Sequence, residues 1–390
     1  MTTEAMRRQI CDAVDEIEAT IHDLVRQLYE YAEVGLQEVR SAALLSKLLE
    51  QDGFYVTRGC AGMATAFTAG YGSGKPHVAL IAEMDALPGM GHACGHNVIA
   101  AAACGAALVL RRMLPSDRLR LSVFGTPAEE LGLGKVAMID AGLFKDVDFC
   151  LMVHPSSRRQ VIKHYLGLSR LQFTFYGVPA HAAAYPEEGI NALDAVVQAY
   201  TSINALRQQV RQDVRIHGII TDGGQAPNII PERAACTYYV RADDLDEVER
   251  VRARLIACAE GAALATGCRL EVKQLGNLLA PLKVNRRLSA LYSAQLAWLG
   301  LPEANRPPDK NKGSSDIGNV SQVVPTIHPH VPIGDGLHIH SEGFARATVA
   351  PQGLAAAVEG AKTLALTAFA LCSDVNVCHE IKSEFDAIIH

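Results

Sequence analysis

The stretch Pro76-His77-Val78-Ala79-Leu80-Ile81-Ala82-Glu83-Met84-Asp85-Ala86-Leu87-Pro88-Gly89-Met90-Gly91-His92-Ala93-Cys94-Gly95-His96-Asn97 fixes both the fold class and the place of the chemistry. Residues 76–82 are apolar without alternation, the pattern of a strand buried on both faces. Where that run stops, two carboxylates, a thiol and two imidazoles follow, separated mainly by Gly, Ala and Pro. Such spacers let the backbone turn tightly and draw side chains together. Cys94 and His96, two positions apart, can both reach one borderline cation such as zinc. Taken alone, the pair fits a buried thiol beside a hydrogen-bonded histidine equally well.

Working outward, helical spacing runs from Ile10 through Leu28 and again from Ala42 to Leu49, with a strand pair predicted across Phe54 to Phe67. Downstream, Val98 to Leu110 reads as a buried, alanine-rich helix. Leu119 to Phe124 is a strand that gives way to Gly125-Thr126-Pro127-Ala128-Glu129-Glu130. A short helix around Val136 to Ala141 precedes the strand Val147 to Val153, which delivers His154-Pro155. Strand alternating with helix predicts a largely parallel sheet, and such sheets bind ligands at the carboxyl ends of their strands. A cap, a solvated Glu pair or a His-Pro turn would explain any one of these three clusters. Ligand types after three successive strands point to a metal site.

From about Leu168 the rhythm changes to strand, helix, strand, strand, helix, strand, ending at Cys268 to Lys273. That order predicts a small antiparallel sheet with helices on one face, inserted in the first domain. The expected fold is therefore α/β. Residues 1–166 and 276–390 form a discontinuous, mixed but largely parallel catalytic domain flanked by helices, and residues 167–275 form an α+β (βαββαβ) lid. The chain returns through a helical stretch near Leu279, then Gly313-Ser314-Ser315-Asp316, a histidine-rich segment from His328 to His340, and an apolar helix from about Pro351 to Leu371. No chemistry is read from Cys372 to His390, and there is no internal repeat.

Composition narrows the partners. Of 390 residues, 49% are hydrophobic and 20% charged, the balance of a globular protein. The net charge of −6 without a basic block argues against nucleic acid and against an anionic membrane surface. The amino terminus lacks the pattern of a secretory signal, and the ten cysteines form no close CxxC pair. A cytoplasmic enzyme acting on small molecules is the expectation.

The motifs Ala82-Glu83-Met84-Asp85-Ala86-Leu87-Pro88, Gly91-His92-Ala93-Cys94-Gly95-His96-Asn97, Gly125-Thr126-Pro127-Ala128-Glu129-Glu130 and Val153-His154-Pro155 resemble the aminoacylase and carboxypeptidase-G family of metallopeptidases. Within it they are most similar to the amidohydrolase branch that holds p-aminobenzoyl-glutamate hydrolases and aminoacylase-1-like dipeptidases. The insert also resembles that family's dimerising lid, through Gly177-Val178-Pro179-Ala180-His181-Ala182-Ala183, Gly189-Ile190-Asn191-Ala192 and Asn228-Ile229-Ile230-Pro231.

The resemblance implies a homodimer formed through the lid and one or two divalent ions per subunit, zinc, manganese or cobalt. Cys94, His96, Glu130, His154 and His340 would be the ligands, with His338 as the fallback for His340. Glu129 would be the general base, Asp85 an orienting partner of the ligands, and His181 a lid residue reaching the partner subunit's site. Asn228 and Arg241 would bind a substrate carboxylate. Peptidase members carry a His at the position of Glu83 and a bridging Asp at that of Cys94, which leaves the role of Glu83 open.

The implied reaction is hydrolysis of the amide bond in a dipeptide, N-acyl amino acid or aryl-amide conjugate of an amino acid. An extended Glu129-Glu130 would point one carboxylate at the water and the other at the metal. Two other readings remain: a non-catalytic binder of the same ligands, and a hydrolase using Cys94 as nucleophile with His96 as base.

Overall fold

The computed structural model describes residues 3–303 and 312–389. These residues divide into two compact units. One holds the chain up to His164 and from Leu282 onward, apart from Lys312–Ser314; the other holds Tyr165–Pro281 together with Lys312–Ser314.

The first unit opens with α1 (Thr3–Glu16), α2 (Glu18–Tyr31) and α3 (Val39–Gln51). The periodic stretch from Ile10 to Leu28 is two helices, because Ile17 leaves helical geometry for one residue (φ −105°, ψ 12°) while its apolar stripe continues across the break. Next come β1 (Tyr55–Arg58), β2 (Phe67–Tyr71), β3 (His77–Glu83), α4 (His96–Met113), β4 (Arg120–Thr126), α5 (Gly134–Asp140), β5 (Phe149–Leu151) and β6 (His154–Ser156).

The second unit follows as β7 (Gly167–Tyr176), α6 (Ala192–Leu206), β8 (Arg215–Asp222), β9 (Arg233–Ala242), α7 (Leu245–Thr266) and β10 (Arg269–Gln274). The first unit then resumes with α8 (Arg286–Trp298), α9 (Ile317–Val323), β11 (Thr326–Ile327), β12 (His330–Pro332), α10 (Glu342–Thr348), α11 (Pro351–Ser373) and α12 (Val375–Ile389).

The main sheet has the order β1-β2-β4-β3-β5-β11. Its β4, β3, β5 and β11 neighbours run parallel, while β1 and β2 pair antiparallel at one side. β3 is buried along its whole length because both faces are covered. Val78, Leu80 and Ala82 join the core beneath α2, α4 and α11, and Ala79 and Ile81 join a second core with Met138 of α5 and Val320 of α9. That double burial is what an apolar run without alternation encodes. By length and composition α11 is apolar enough to cross a membrane, yet 78% of its apolar window is buried inside the unit, where it packs against α4. The parallel strands β3 and β4 lead directly into the loops that carry the ligand types, and β6 begins with one, His154.

In the second unit the sheet order is β10-β7-β9-β8, antiparallel throughout. Leu171, Phe173, Phe175, Cys236, Tyr238 and Val240 face the helices α6 and α7, whose amino ends are capped by Asn191 and Asp244. The unit extends past β10 because Leu168 and Leu279 exchange backbone hydrogen bonds of 2.8 and 3.0 Å.

Candidate metal centre

β3 ends at Glu83, and the loop after it closes with Leu87 N–H donating to Gly91 O at 2.9 Å. Gly95, at φ +85°, separates the two ligand types Cys94 and His96; a Cβ there would lie 2.3 Å from Pro155 Cγ. Only glycine lets the His154-Pro155 segment come this close, and Cys94 Sγ lies 3.5 Å from His154 Nε2.

The imidazoles are oriented from behind. His96 Nδ1 faces the Asp85 carbonyl oxygen at 2.8 Å and Asp85 Oδ1 at 3.0 Å, so it carries the proton and donates. His96 Nε2 is left without a hydrogen-bond partner, 3.4 Å from Glu83 Oε2 and 3.8 Å from Glu129 Oε2. His154 Nδ1 lies 2.7 Å from Pro155 O, which fixes its proton there and turns Nε2 toward Cys94. A ligand histidine held by a second partner in this way is the usual outer arrangement of a metal site.

Ligand atoms of Cys94, His96 and His154 lie within 4.8 Å of one another, as do those of Cys94, Glu130 and His340, so the two groups share Cys94. His96, Glu129 and Glu130 form a third group. His340 is placed by its N–H, which donates to Ala93 O at 2.9 Å, and its Nε2 stands 3.6 Å from Glu130 Oε1. His338 is exposed and joins no such group among the described residues. The donors fit a divalent cation: the buried His96 Nε2 and Glu130 Oε1 both lack hydrogen-bond partners and lie in one group.

Glu129-Glu130 is not extended. Ala128 adopts the left-handed region (φ +55°), and the dipeptide opens a turn closed by Gly132 N–H on Glu129 O at 2.7 Å. Glu130 N–H donates to Asp85 Oδ2 at 3.0 Å, so one carboxylate orients His96 and also fixes the backbone of the dipeptide.

Burial pushes the Cys94 thiol well above its ordinary range, an effect that His96 opposes. A neutral, enclosed thiol is a poor free nucleophile, which weighs against the Cys94 hydrolase. His154 is held down to about 4, chiefly by burial, and so is neutral and ready to bind a metal at pH 7. Burial alone would depress His96, but Cys94, Asp85 and Glu83 together hold it well above its ordinary value. Burial, with Glu83 and Asp316 beside it, raises the Glu129 carboxyl well above the usual carboxylate range.

Three further residues were not found from the sequence. Lys135 Nζ lies 2.6 Å from both Glu83 Oε1 and Asp316 Oδ1, all three side chains being buried. Burial opposes the lysine's charge, but Asp316, Glu83 and Glu129 keep it protonated. Glu83, Glu129 and Asp316 would otherwise form a carboxylate group able to hold a cation, and the ammonium supplies that charge internally. The third residue, Glu38, accepts from Ala128 N–H at 2.9 Å. Their only sequence signals were a lysine directly after Gly132-Leu133-Gly134, an unassigned aspartate after Ser314-Ser315, and a glutamate in an ordinary polar loop.

The remaining candidates, His181, Asn228 and Arg241, belong to the second unit. His181 pairs with Ile229, Ala182 N–H donates to Asn228 O at 3.0 Å, and His181 Nδ1 accepts from Ala183 and Ala184 N–H at 3.3 and 3.2 Å. Arg241 is at the opposite end of β9, roughly 26 Å from Arg233 at about 3.3 Å per residue, where it donates to Ser314 Oγ at 2.8 Å. Within one chain, therefore, Asn228 and Arg241 are not brought together as a single carboxylate site.

Residues 166–266 match the peptidase dimerisation domain of the M20 family. The chain is 35% identical to mouse Xaa-Arg dipeptidase over 98% of this chain and 92% of that protein. It is 34% identical to one of the two subunits of the p-aminobenzoyl-glutamate hydrolase of Escherichia coli K12, over 76% of this chain and 66% of the relative. Its fold matches that of the Bacillus subtilis YXEP protein, described as a dinuclear metal-binding peptidase of the M20 family, with a TM-score of 0.69 at 18% identity, covering 93% of this chain and 100% of that one. The chain belongs to the M20 peptidase family, as one of its metal-dependent amidohydrolases.

Proposed function

We propose that the protein hydrolyses the amide bond of dipeptides and N-acyl amino acids, with aryl-amide conjugates of amino acids as a related class. The observation that carries this reading is the pair of ligand groups sharing Cys94, with Glu129 beside them on His96. The named relatives act on a dipeptide with carboxyl-terminal Arg and on an aryl amide of glutamate; common to both is an amide nitrogen belonging to an amino acid. Cys94, His96, Glu130, His154 and His340 would hold one or two ions of zinc, manganese or cobalt. When bound, such a cation polarises the substrate carbonyl and makes water more acidic.

Glu129 takes the proton of the attacking water and returns it to the departing amine. Asp85 keeps His96 in the tautomer whose Nε2 is free. Arg241, half-buried and paired only with a hydroxyl, suits the substrate carboxylate. The ten cysteines are all free, in keeping with work in the reducing cytoplasm.

The test is chelation followed by addition of each metal, read by elemental analysis and by turnover of dipeptides, acyl-amino acids and p-aminobenzoyl-glutamate. Chelation should reduce hydrolysis to background and metal should restore it. Full turnover by protein shown to be free of metal would refute the reading.

We further propose a homodimer through the lid, in which His181 serves the partner's site. The edge strand β8 exposes Ile219 and Ile220, and His181 lies at the end of the lid sheet remote from Tyr165 and Pro281, where the chain enters and leaves the unit. E129Q and H181A should each be inactive alone. Refolded together, about half the dimers are mixed and carry one intact site, so activity returns to about a quarter of wild type. An inactive mixture with confirmed heterodimers places His181 in its own subunit's site.

A further inference from the structure

Glu38 is a fully buried carboxylate in none of the ligand groups. Its Oε2 accepts from the Thr65 hydroxyl at 2.8 Å, and its Oε1 accepts from Ala128 N–H at 2.9 Å. Ala128 directly precedes Glu129-Glu130 and has φ +55°, a region that an L-alanine rarely adopts because its Cβ crowds the following carbonyl. Its own carbonyl oxygen accepts from Leu131 and Leu133 N–H at 3.3 and 3.2 Å, so the turn that aims both catalytic carboxylates pivots on this residue. The approach to it is tight, since a Cβ on Gly35 would lie 3.1 Å from Ala128 Cα and Cβ. Asp85 holds the turn at Glu130 N–H, and Glu38 holds it at Ala128 N–H.

We propose that Glu38 is a positioning residue for the hydrolysis: by gripping Ala128 N–H it keeps the backbone left-handed and so sets where the Glu129 and Glu130 carboxylates point. This rests on the roles proposed above for those two residues. Without the grip, alanine relaxes toward its preferred right-handed or extended conformations, and Glu129 swings away from His96.

The experiment compares E38A, E38Q, A128G and E38A/A128G under saturating metal, reading kcat, KM and urea unfolding for each. E38A should lower kcat by about 30- to 100-fold, the scale of a misplaced catalytic group, with KM nearly unchanged. E38Q should keep at least half of kcat, because its amide oxygen still accepts from Ala128 N–H. Glycine takes a positive φ without the Cβ penalty, so adding E38A to A128G should cost less than about 5-fold.

An equal loss of kcat in both backgrounds, or a loss of stability with kcat intact, overturns the proposal and leaves Glu38 a purely structural acid. If E38A does not fold, E38D in both backgrounds carries the same comparison, because it withdraws the carboxylate by one methylene. E129Q is measured alongside: an active E129Q faults the assignment of the base, whereas an inactive E129Q with no coupling between positions 38 and 128 faults only the role of Glu38.

Discussion

Glu129 and Glu130 are neighbours in the chain but face different imidazoles, Glu129 Oε2 lying 3.8 Å from His96 Nε2 and Glu130 Oε1 lying 3.6 Å from His340 Nε2. Separate jobs follow, and substitution should separate them. E129Q should bind metal as the wild type does and lose about 10²- to 10⁴-fold in kcat, the range for a general acid-base group. E130Q should lose metal on dialysis. Elemental analysis with kcat on the same samples decides; metal loss from E129Q alone would mean that the two roles are exchanged. The dipeptide and the residues Cys94, His96 and His154 were legible in the sequence because each is a ligand type placed just after a strand, where a parallel sheet collects its chemistry. Glu38 was not legible, because its role depends on the positive φ of a residue ninety positions away. Nor was the separation of Asn228 from Arg241, since both flank the same strand and only the strand's length keeps them apart.

The elements themselves were read from periodicity, and β3 with α4 follow the sequence closely because both are apolar on all sides. Shorter pieces, α9, α10 and α12, escaped that reading; α9 and α10 have only seven residues each, too few for a helical period to stand out. α5 is equally short and carries the buried ion cluster. Its Lys135 donates through Nζ to Asp316 Oδ1 and through its backbone N–H to Asp316 Oδ2 at 3.0 Å, tying α5 to the start of α9. Removing one partner of a buried pair leaves the other charge uncompensated, which typically costs about 3–5 kcal/mol. K135M should therefore destabilise the first unit by about that amount in urea unfolding. D316N in the K135M background should recover part of the loss, since asparagine still accepts from the backbone N–H of residue 135 without a second buried charge. If K135M is as stable as wild type, the cluster does not hold these helices together.

At the scale of the whole molecule, burial of ionisable groups makes stability depend on pH with a predictable sign. Five histidines of the first unit sit below their ordinary value of 6.5, each chiefly through burial: His92 at about 3, His154 at about 4, and His77, His328 and His330 in the same direction. Below pH 6.5 the unfolded chain takes up protons that these folded imidazoles refuse, so stability falls with pH until each folded value is passed. Burial also raises the carboxyls of Glu38, Glu129 and Asp316, and these have the opposite sign, since the folded state then holds protons that the unfolded state lacks. His96, raised by its anionic neighbours, contributes fully below 6.5 and loses its contribution only as pH rises through its folded value, so it is silent in the acid window. Five histidines outweigh three carboxyls. At roughly 1.4 kcal/mol per pH unit for each net proton, chelator-treated protein should lose on the order of 3 kcal/mol between pH 7 and pH 5. Trp298, the single tryptophan, lies in α8 of the same unit, so its fluorescence in urea reads the transition. H92N should flatten the slope by close to one proton whatever it does to absolute stability. A transition that stays put or moves to higher urea on acidification would show that the carboxyls, and not the histidines, dominate the titration of the folded core.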